Sequence, residues 1–283
     1  MGQWDAWIGR ETSATDRLDE GLAARWLATF DLPEPEPALM PQGMHFALCA
    51  PDSPTSALGE DGHPARDDGT NSFLPPFPMP RRMWASSTIR FISPLPLGAS
   101  IARTSRVVSI SEKSGSSGLL AFVNVEHETY ANGTLSVVET QTLVYREPAD
   151  VDAPLSPPEI GDFTFDPSEW DATRTLTPDT RLLFRYSALS FNTHRIHYDA
   201  PYAKQVERYR GLVVHGPLTA SLLLQLAASE MGNNALSSFA FRGISPAIAN
   251  EPLHLTMRHS DEGLEMSAFA DDGRHVMKAS GTT

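Results

Sequence analysis

The chain has 283 residues, 41% of them hydrophobic and 20% charged, with 35 acidic against 22 basic side chains for a formal net charge of −13. That length exceeds what one hydrophobic core usually fills, so two compact domains of ~140 residues each are expected. The acidic balance argues against nucleic acid as a partner, because phosphate contacts need clustered Lys and Arg, and no apolar run approaches the ~18 residues of a membrane span.

The N-terminus MGQWDAWIGRE has neither a basic n-region nor an apolar h-region, which makes a cytoplasmic location the expectation. Cys49 is the one cysteine and leaves no intrachain disulfide framework. The first element is Leu18 to Leu32, LDEGLAARWLATFDL, where apolar residues at helical spacing run into Pro33, Pro35 and Pro37. One amphipathic helix is predicted, ended by the prolines. Residues 33–82 are rich in Pro, Gly, Asp and Ser without a sustained period, and read as a long irregular excursion. From Thr88 to Tyr145 come the β-rich runs TIRFI, IARTSRVVSI, GLLAFVNVEHETYA and LSVVETQTLVY, with Asn132-Gly133 as a hairpin turn.

A connector rich in Pro and Asp follows, from Glu147 to Ala172. The segment TRLLFRYSAL (Thr180 to Leu189) looks strand-like. The apolar run LTASLLLQLAASEM after Gly216 reads as a buried helix of about four turns. Strand-like runs close the chain near Ser237 to Gly243, Leu253 to His259 and Leu264 to Ala270. A buried helix with several strands in each half makes this an α+β protein with a repeated unit. The expected boundaries are 1–148, a linker over 149–172, and 173–283.

Chemistry concentrates in Ser190 to Asp199 (SFNTHRIHYD) and in Val213 to Ala220 (VVHGPLTA). An imidazole can take a proton from water and return it, and a neighbouring amide can hold that water, which are roles for His197 and Asn192. Asn192 can equally cap a turn through its side chain. Gly216 permits close approach of a carbonyl to the main chain, and the first N–H groups of the helix it opens suit a developing enolate oxygen. His194 can support the site or serve only the loop. Arg195 can pair within the loop or hold a substrate carboxylate in a bidentate fork. His194, His197 and Asp199 together also offer a metal-ligand pattern, but a long apolar helix follows where that pattern needs strands, so no metal is expected. No nucleotide-binding glycine motif precedes a helix, so no nicotinamide or flavin is expected either.

These two segments resemble the MaoC-type hydratase group, whose motif runs Tyr-x-Leu-Ser-Gly-Asp-x-Asn-Pro-Leu-His and is followed by a His-Gly-x-Leu helix start. Tyr186 lies near the head of the motif, and Ser190, His197, His215, Gly216 and Leu218 match it. Asn192 stands where the motif has its catalytic Asp, His194 where it has Asn, and Arg195 where it has Pro. The form Phe-Asn-x-His-Arg-Ile-His-Tyr-Asp is similar to a two-repeat branch. That branch includes 3-methylfumaryl-CoA (mesaconyl-CoA) hydratases, itaconyl-CoA hydratases and mitochondrial-type 3-hydroxyacyl-thioester dehydratases. WDAWIGRE, DGHP, FLPPFPMPRRMWA and ETQTLVYREP in the N-terminal half resemble the same branch, so the likeness covers nearly the whole chain.

The resemblance implies a double hotdog, two antiparallel sheets joined edge to edge, each wrapping a central helix. It implies a hydro-lyase that adds water reversibly to an α,β-unsaturated acyl-CoA, with CoA as part of the substrate and no cofactor. A branched C5 dicarboxylic acyl-CoA such as 3-methylfumaryl-CoA or itaconyl-CoA is favoured. The alternatives are a 3-hydroxyacyl-thioester dehydratase of fatty-acid synthesis and a non-catalytic acyl-thioester binding module. Catalytic roles fall to Asn192, His197 and Gly216, with Ser190, His194, Asp199 and His215 in support. Arg195, Arg81, Arg82 and Trp84 are the substrate-binding candidates, though the two arginines also read as solvated charges in a Pro-rich loop. With Asn192 replacing Asp, the second proton transfer is left to Asp199, to His194 or to His197 acting twice. The N-terminal repeat reads as a degenerate wall for the CoA arm. A homodimer is left open, since a double hotdog already supplies the paired sheets.

Overall fold

The computed structural model describes residues 2–67, 69–115 and 118–283. Its main sheet has ten antiparallel strands. The N-terminal half supplies β1 (Glu11–Arg17), β2 (Arg81–Phe91), β3 (Ser100–Gly115), β4 (Gly118–Ala131) and β5 (Thr134–Arg146). The C-terminal half supplies β6 (Ala172–Leu176), β7 (Ser238–Gly243), β8 (Leu253–Ser260), β9 (Gly263–Ala270) and β10 (His275–Thr282). Across the sheet the order is β1-β3-β4-β5-β2-β7-β10-β9-β8-β6. Each half therefore repeats one topology, first strand at the outer edge and second strand at the centre. The halves meet where β2 pairs with β7, from Ser86 opposite Arg242 to Arg90 opposite Ser238. This is the double hotdog.

Local chemistry explains the elements. Asn132 and Gly133 take φ of 50° and 80° between the paired Ala131 and Thr134, the left-handed pair that a two-residue hairpin requires. Helix α1 (Glu20–Thr29) starts at Asp19, whose carboxylate accepts from the Leu22 N–H, and it turns Ala23, Trp26 and Leu27 inward. Helix α2 (Thr180–Ser190) replaces the strand expected over Thr180 to Leu189. The reason is its cap and its period: Asp179 accepts from Arg181 and Leu182, and burial falls on Leu183, Tyr186 and Leu189, three apart. Helix α3 (Ala200–Gln205) is short, and α4 (Gly216–Met231) is the central helix of the C-terminal half. Every residue of α4 from Leu218 to Ala227 is buried, as befits a helix apolar on all sides.

The N-terminal half has no helix like α4 between α1 and β2 among the described residues. That space is filled by the Pro-rich excursion, whose Met44, Ala47 and Leu48 join the same core as α4. Gly43 lies so close to α4 that a Cβ there would sit 3.3 Å from Leu224. Among the described residues no helix is long and apolar enough to cross a membrane. The connector is not free chain: the Ser156 N–H donates to Arg208 O, Ser156 O accepts from the Arg210 N–H, and Thr164 N–H donates to Asp271 O.

Candidate active site

Helix α2 ends at Phe191, in the left-handed region at φ 48°, and this turns the chain sharply into the histidine loop. Asn192 Oδ1 accepts from the His194 N–H at 2.9 Å, so the side chain closes a turn, the alternative its sequence position also allows. A 3-10 turn over Arg195–His197 then points His197 into the interior. Its Nδ1 lies 2.7 Å from the Val213 carbonyl oxygen. A carbonyl only accepts, so Nδ1 carries the hydrogen and Nε2 presents a lone pair. The Val213 N–H returns to Ile196 O at 3.0 Å, so the base is held from both sides.

Two residues further, His215 occupies the N-cap of α4 and lays its ring on His197, centroids 3.6 Å apart and 18° from parallel. Its Nε2 is 2.8 Å from the Ser187 hydroxyl. Ser187 went unnoticed in the sequence because α2 was read with a strand's period, which puts it on the wrong face. Ser190, the expected supporter, bonds back to the Tyr186 carbonyl at 2.8 Å and is spent on its own helix. At the start of α4, Pro217 has no N–H and Thr219 N–H is taken by His215 O, which leaves Gly216 and Leu218 as the first-turn donors. A Cβ placed on Gly216 would meet nothing within 4 Å, so the space beside its Cα is open.

Burial sets the charge state of these imidazoles. Desolvation pulls His197 down to about 4, against the opposing hydrogen bond to Val213. Desolvation also holds His215 and His194 well below the usual histidine range. All three are therefore neutral near pH 7, the form in which His197 can accept a proton.

The loop Asp61-Gly62-His63 of the N-terminal half docks onto this motif, which the sequence reading did not foresee. Arg195 N–H donates to Asp61 O at 2.9 Å and the Thr193 hydroxyl to Gly62 O at 2.5 Å. Gly62 has φ 89°, and a Cβ there would come within 1.9 Å of Thr193 O. Only glycine permits this approach. The His63 ring packs against His194, centroids 4.1 Å apart and planes 37° from parallel, and its Nδ1 is 2.8 Å from the Asp61 carboxylate. For Asp61, burial acts upward, but the hydrogen bonds and charge of His63 outweigh it and hold the carboxyl at about 2.

Several expected roles are corrected. Arg195 gives Nε and one terminal nitrogen to Asp199, at 3.0 and 2.7 Å, and the other to Glu60 O at 3.0 Å, while its plane covers Tyr202. It braces the loop and has no fork to offer a substrate. Asp199 accepts from Arg195 and caps α3 through Tyr202 N–H, so it is not a free proton carrier. Trp84 donates to the Ser87 hydroxyl and packs on Phe46 and Phe241, a place in the core wall. Arg81 is not a surface cation: it is 8% exposed and pairs with Glu207, itself 9% exposed. Arg82 differs from its neighbour. Beside Tyr145 on β5, it has no carboxylate partner among the described residues, and its charge reaches His194.

The Arg81–Glu207 pair ties β2 to the segment after α3. Arg81→Ala leaves a buried carboxylate without its counter-ion and is expected to lower stability by about 3–5 kcal/mol, whereas Arg81→Met with Glu207→Leu recovers much of it. Urea unfolding midpoints for the three proteins check this, and an Arg81→Ala midpoint equal to wild type would refute the brace.

His194, His197 and Asp199 do not form the alternative metal set, since Asp199 is turned to Arg195. The grouping nearest to one is Asp61, His63 and His194, with ligand atoms within 4.8 Å of one another. There the Asp61 carboxylate is bonded to His63 Nδ1, and the two rings are tilted 37° to each other.

The family model for hydroxyacyl-thioester dehydratase type 2 matches residues 43–249. The mesaconyl-C(4)-CoA hydratase of Chloroflexus aurantiacus is 42% identical over 281 residues, covering 98% of this chain and 96% of that protein. The mitochondrial hydroxyacyl-thioester dehydratase type 2 of Schizosaccharomyces pombe is 30% identical over 239 residues, 75% of this chain and 76% of that one. Among solved structures, a MaoC-like dehydratase from Phytophthora capsici superposes with a TM-score of 0.71 at 12% identity, covering 100% of this chain and 97% of its own. A Mycobacterium tuberculosis protein described as a double hotdog gives 0.56 at 15%, covering 97% and 95%. At these identities the structures speak to the fold alone.

Proposed function

The chain belongs to the hydroxyacyl-thioester dehydratase type 2 family and is a hydro-lyase; on that footing we propose that it adds water reversibly to an α,β-unsaturated acyl-CoA, preferring a branched C5 dicarboxylic acyl group such as 3-methylfumaryl or itaconyl. The observation that carries this reading is the contact of His197 with His215. It sets a neutral base, its Nδ1 hydrogen held by Val213 O, beside the helix start whose Gly216 N–H has no hydrogen-bond acceptor among the described residues. The thioester oxygen sits at Gly216, where the N–H and the helix dipole polarise it and make the β-carbon electrophilic. His197 takes a proton from the attacking water. Asn192 keeps its amide nitrogen to orient that water, since its oxygen is committed to His194.

Arg82 supports the dicarboxylic preference. A free substrate carboxylate needs a cation near the site, and of the expected arginines Arg82 alone has no carboxylate partner among the described residues. A panel of acyl-CoA esters, read by mass spectrometry for the gain of one water, tests the reaction. The panel includes 3-methylfumaryl-, itaconyl- and crotonyl-CoA, and 3-hydroxyacyl thioesters for the dehydratase reading suggested by the fission-yeast relative's name. Arg82→Ala is expected to raise KM for the dicarboxylic esters roughly tenfold and to leave crotonyl-CoA unchanged, the pattern of a lost binding contact. An equal effect on both esters places Arg82 on the CoA moiety. No turnover of any ester supports the binding-module alternative.

A further inference from the structure

Hydration moves two protons, one off the water and one onto the α-carbon, and the motif loop has lost a mover. Asn192 is an amide, and Asp199 is locked to Arg195. The N-terminal repeat brings a replacement. Its Asp61-Gly62-His63 loop is fixed on Thr193 and Arg195 through two hydrogen bonds and a glycine contact that no larger residue could make. Within it the Asp61 carboxylate faces His63 Nδ1 at 2.8 Å, the arrangement that fixes the orientation of an imidazole. The His63 Nε2 is left to exchange a proton, and with a side chain 24% exposed the ring reaches solvent. His63, His194 and His197 follow in a row, with centroid separations of 4.1 and 5.5 Å.

We propose that His63, oriented by Asp61, is the second proton-transfer residue of the reaction, delivered to the C-terminal site by the N-terminal repeat. In the hydration direction a water O–H bond breaks to His197 Nε2 as the oxygen bonds to the β-carbon. The π pair moves into the thioester as an enolate held at Gly216. When the carbonyl re-forms, that pair takes the proton from the His63 imidazolium onto the α-carbon. His197 then returns its proton to solvent and His63 regains one, so no oxidant or co-reactant is needed. Dehydration runs the same steps backwards, with His63 removing the α-proton. Asp61 acts through His63 and is a positioning residue. The N-terminal repeat is thus a partner in the chemistry as well as a wall.

This inference rests on the hydratase reading above, and the experiment separates the two. Wild type, His63→Gln, His63→Ala and Asp61→Asn are assayed in both directions on the ester that wild type turns over best, with thermal midpoints recorded for each. His63→Gln is expected to lose about a hundredfold in kcat with KM within about threefold, and Asp61→Asn about tenfold. Dehydration of an α-deuterated hydroxyacyl-CoA should show a larger isotope effect in His63→Gln than in wild type, because α-proton removal becomes the slow step. Free imidazole should restore part of the activity of His63→Ala. A purely structural His63 would move neither the isotope effect nor the rescue. If wild type hydrates and both His63 variants keep kcat within about threefold, the inference fails and the hydratase reading stands. The inference also fails if activity is lost with a fallen thermal midpoint, an unchanged isotope effect and no rescue, or if EDTA abolishes wild-type activity and a divalent metal restores it. If wild type hydrates nothing, the hydratase reading fails first.

Discussion

His197→Ala is expected to lower kcat by about 10²–10⁴ while the fold survives, because it removes the group that takes the water proton and little else. The geometry makes the expectation specific. Val213 O holds the Nδ1 hydrogen, so the reactive atom is Nε2 and its tautomer is fixed before substrate arrives. The His215 ring lies flat against it, which prevents rotation and gives a developing imidazolium an aromatic face. Desolvation sets the acid limb: with its folded pKa near 4, His197 stays deprotonated far below the ~6.5 of a free histidine. Activity should therefore hold as pH falls from 7 to 5.5, wherever the protein remains folded, and decline only toward 4. A His197→Ala enzyme within about threefold of wild type, or an acid limb centred near 6.5 for the native protein, would remove His197 from the role of base.

Much of this was readable from the sequence where local chemistry and periodicity agree. The Asn132-Gly133 hairpin and the all-apolar run of α4 each state their structure in a few residues, whereas α1 stops at Thr29, short of Pro33, with Asp31 in the left-handed region at φ 53°. Thr180 to Leu189 did not, because Leu-Leu-Phe and Tyr carry strand-like composition while the three-residue spacing of Leu183, Tyr186 and Leu189 carries the helix. The helical period brings Ser187 to His215, while Ser190, expected from the resemblance to the family motif, bonds within its own helix. The histidine loop was legible because it is contiguous. The Asp61–His63 contribution was not, since Gly62 and Thr193 are 131 residues apart and DGHP, though part of the family resemblance, does not say what it packs against. Charge was the least legible property. Arg81 and Arg82 are adjacent in the sequence, yet alternation along β2 sends one into a buried pair with Glu207 and leaves the other beside Tyr145 with no carboxylate partner among the described residues.

The same buried imidazoles make acid lability the other large effect. His197 and His127 are pulled by burial to about 4, and His45, His194 and His215 are also held down by burial first. Each folded value lies below the unfolded ~6.5, so between those limits the unfolded chain binds more protons than the folded one. Stability from this source is complete above pH ~6.5 and is lost as pH falls toward 4. His197 alone contributes roughly 3 kcal/mol at about 1.4 kcal/mol per unit, and several such groups together rival the 5–15 kcal/mol by which folded domains usually survive. Glu139 works the other way, since burial raises its carboxyl, but it is one group against five. Asp61 adds its share only at lower pH, because its carboxyl is depressed. Urea midpoints should thus fall steeply between pH 7 and 5. The slope should shrink by about one proton in His127→Gln, a site on β4 where the ring meets only Ser105 and Gln141. Equal midpoints at pH 7.5 and 5.5 would mean that these imidazoles are solvated, and the neutral base assigned to His197 would lose its physical basis as well.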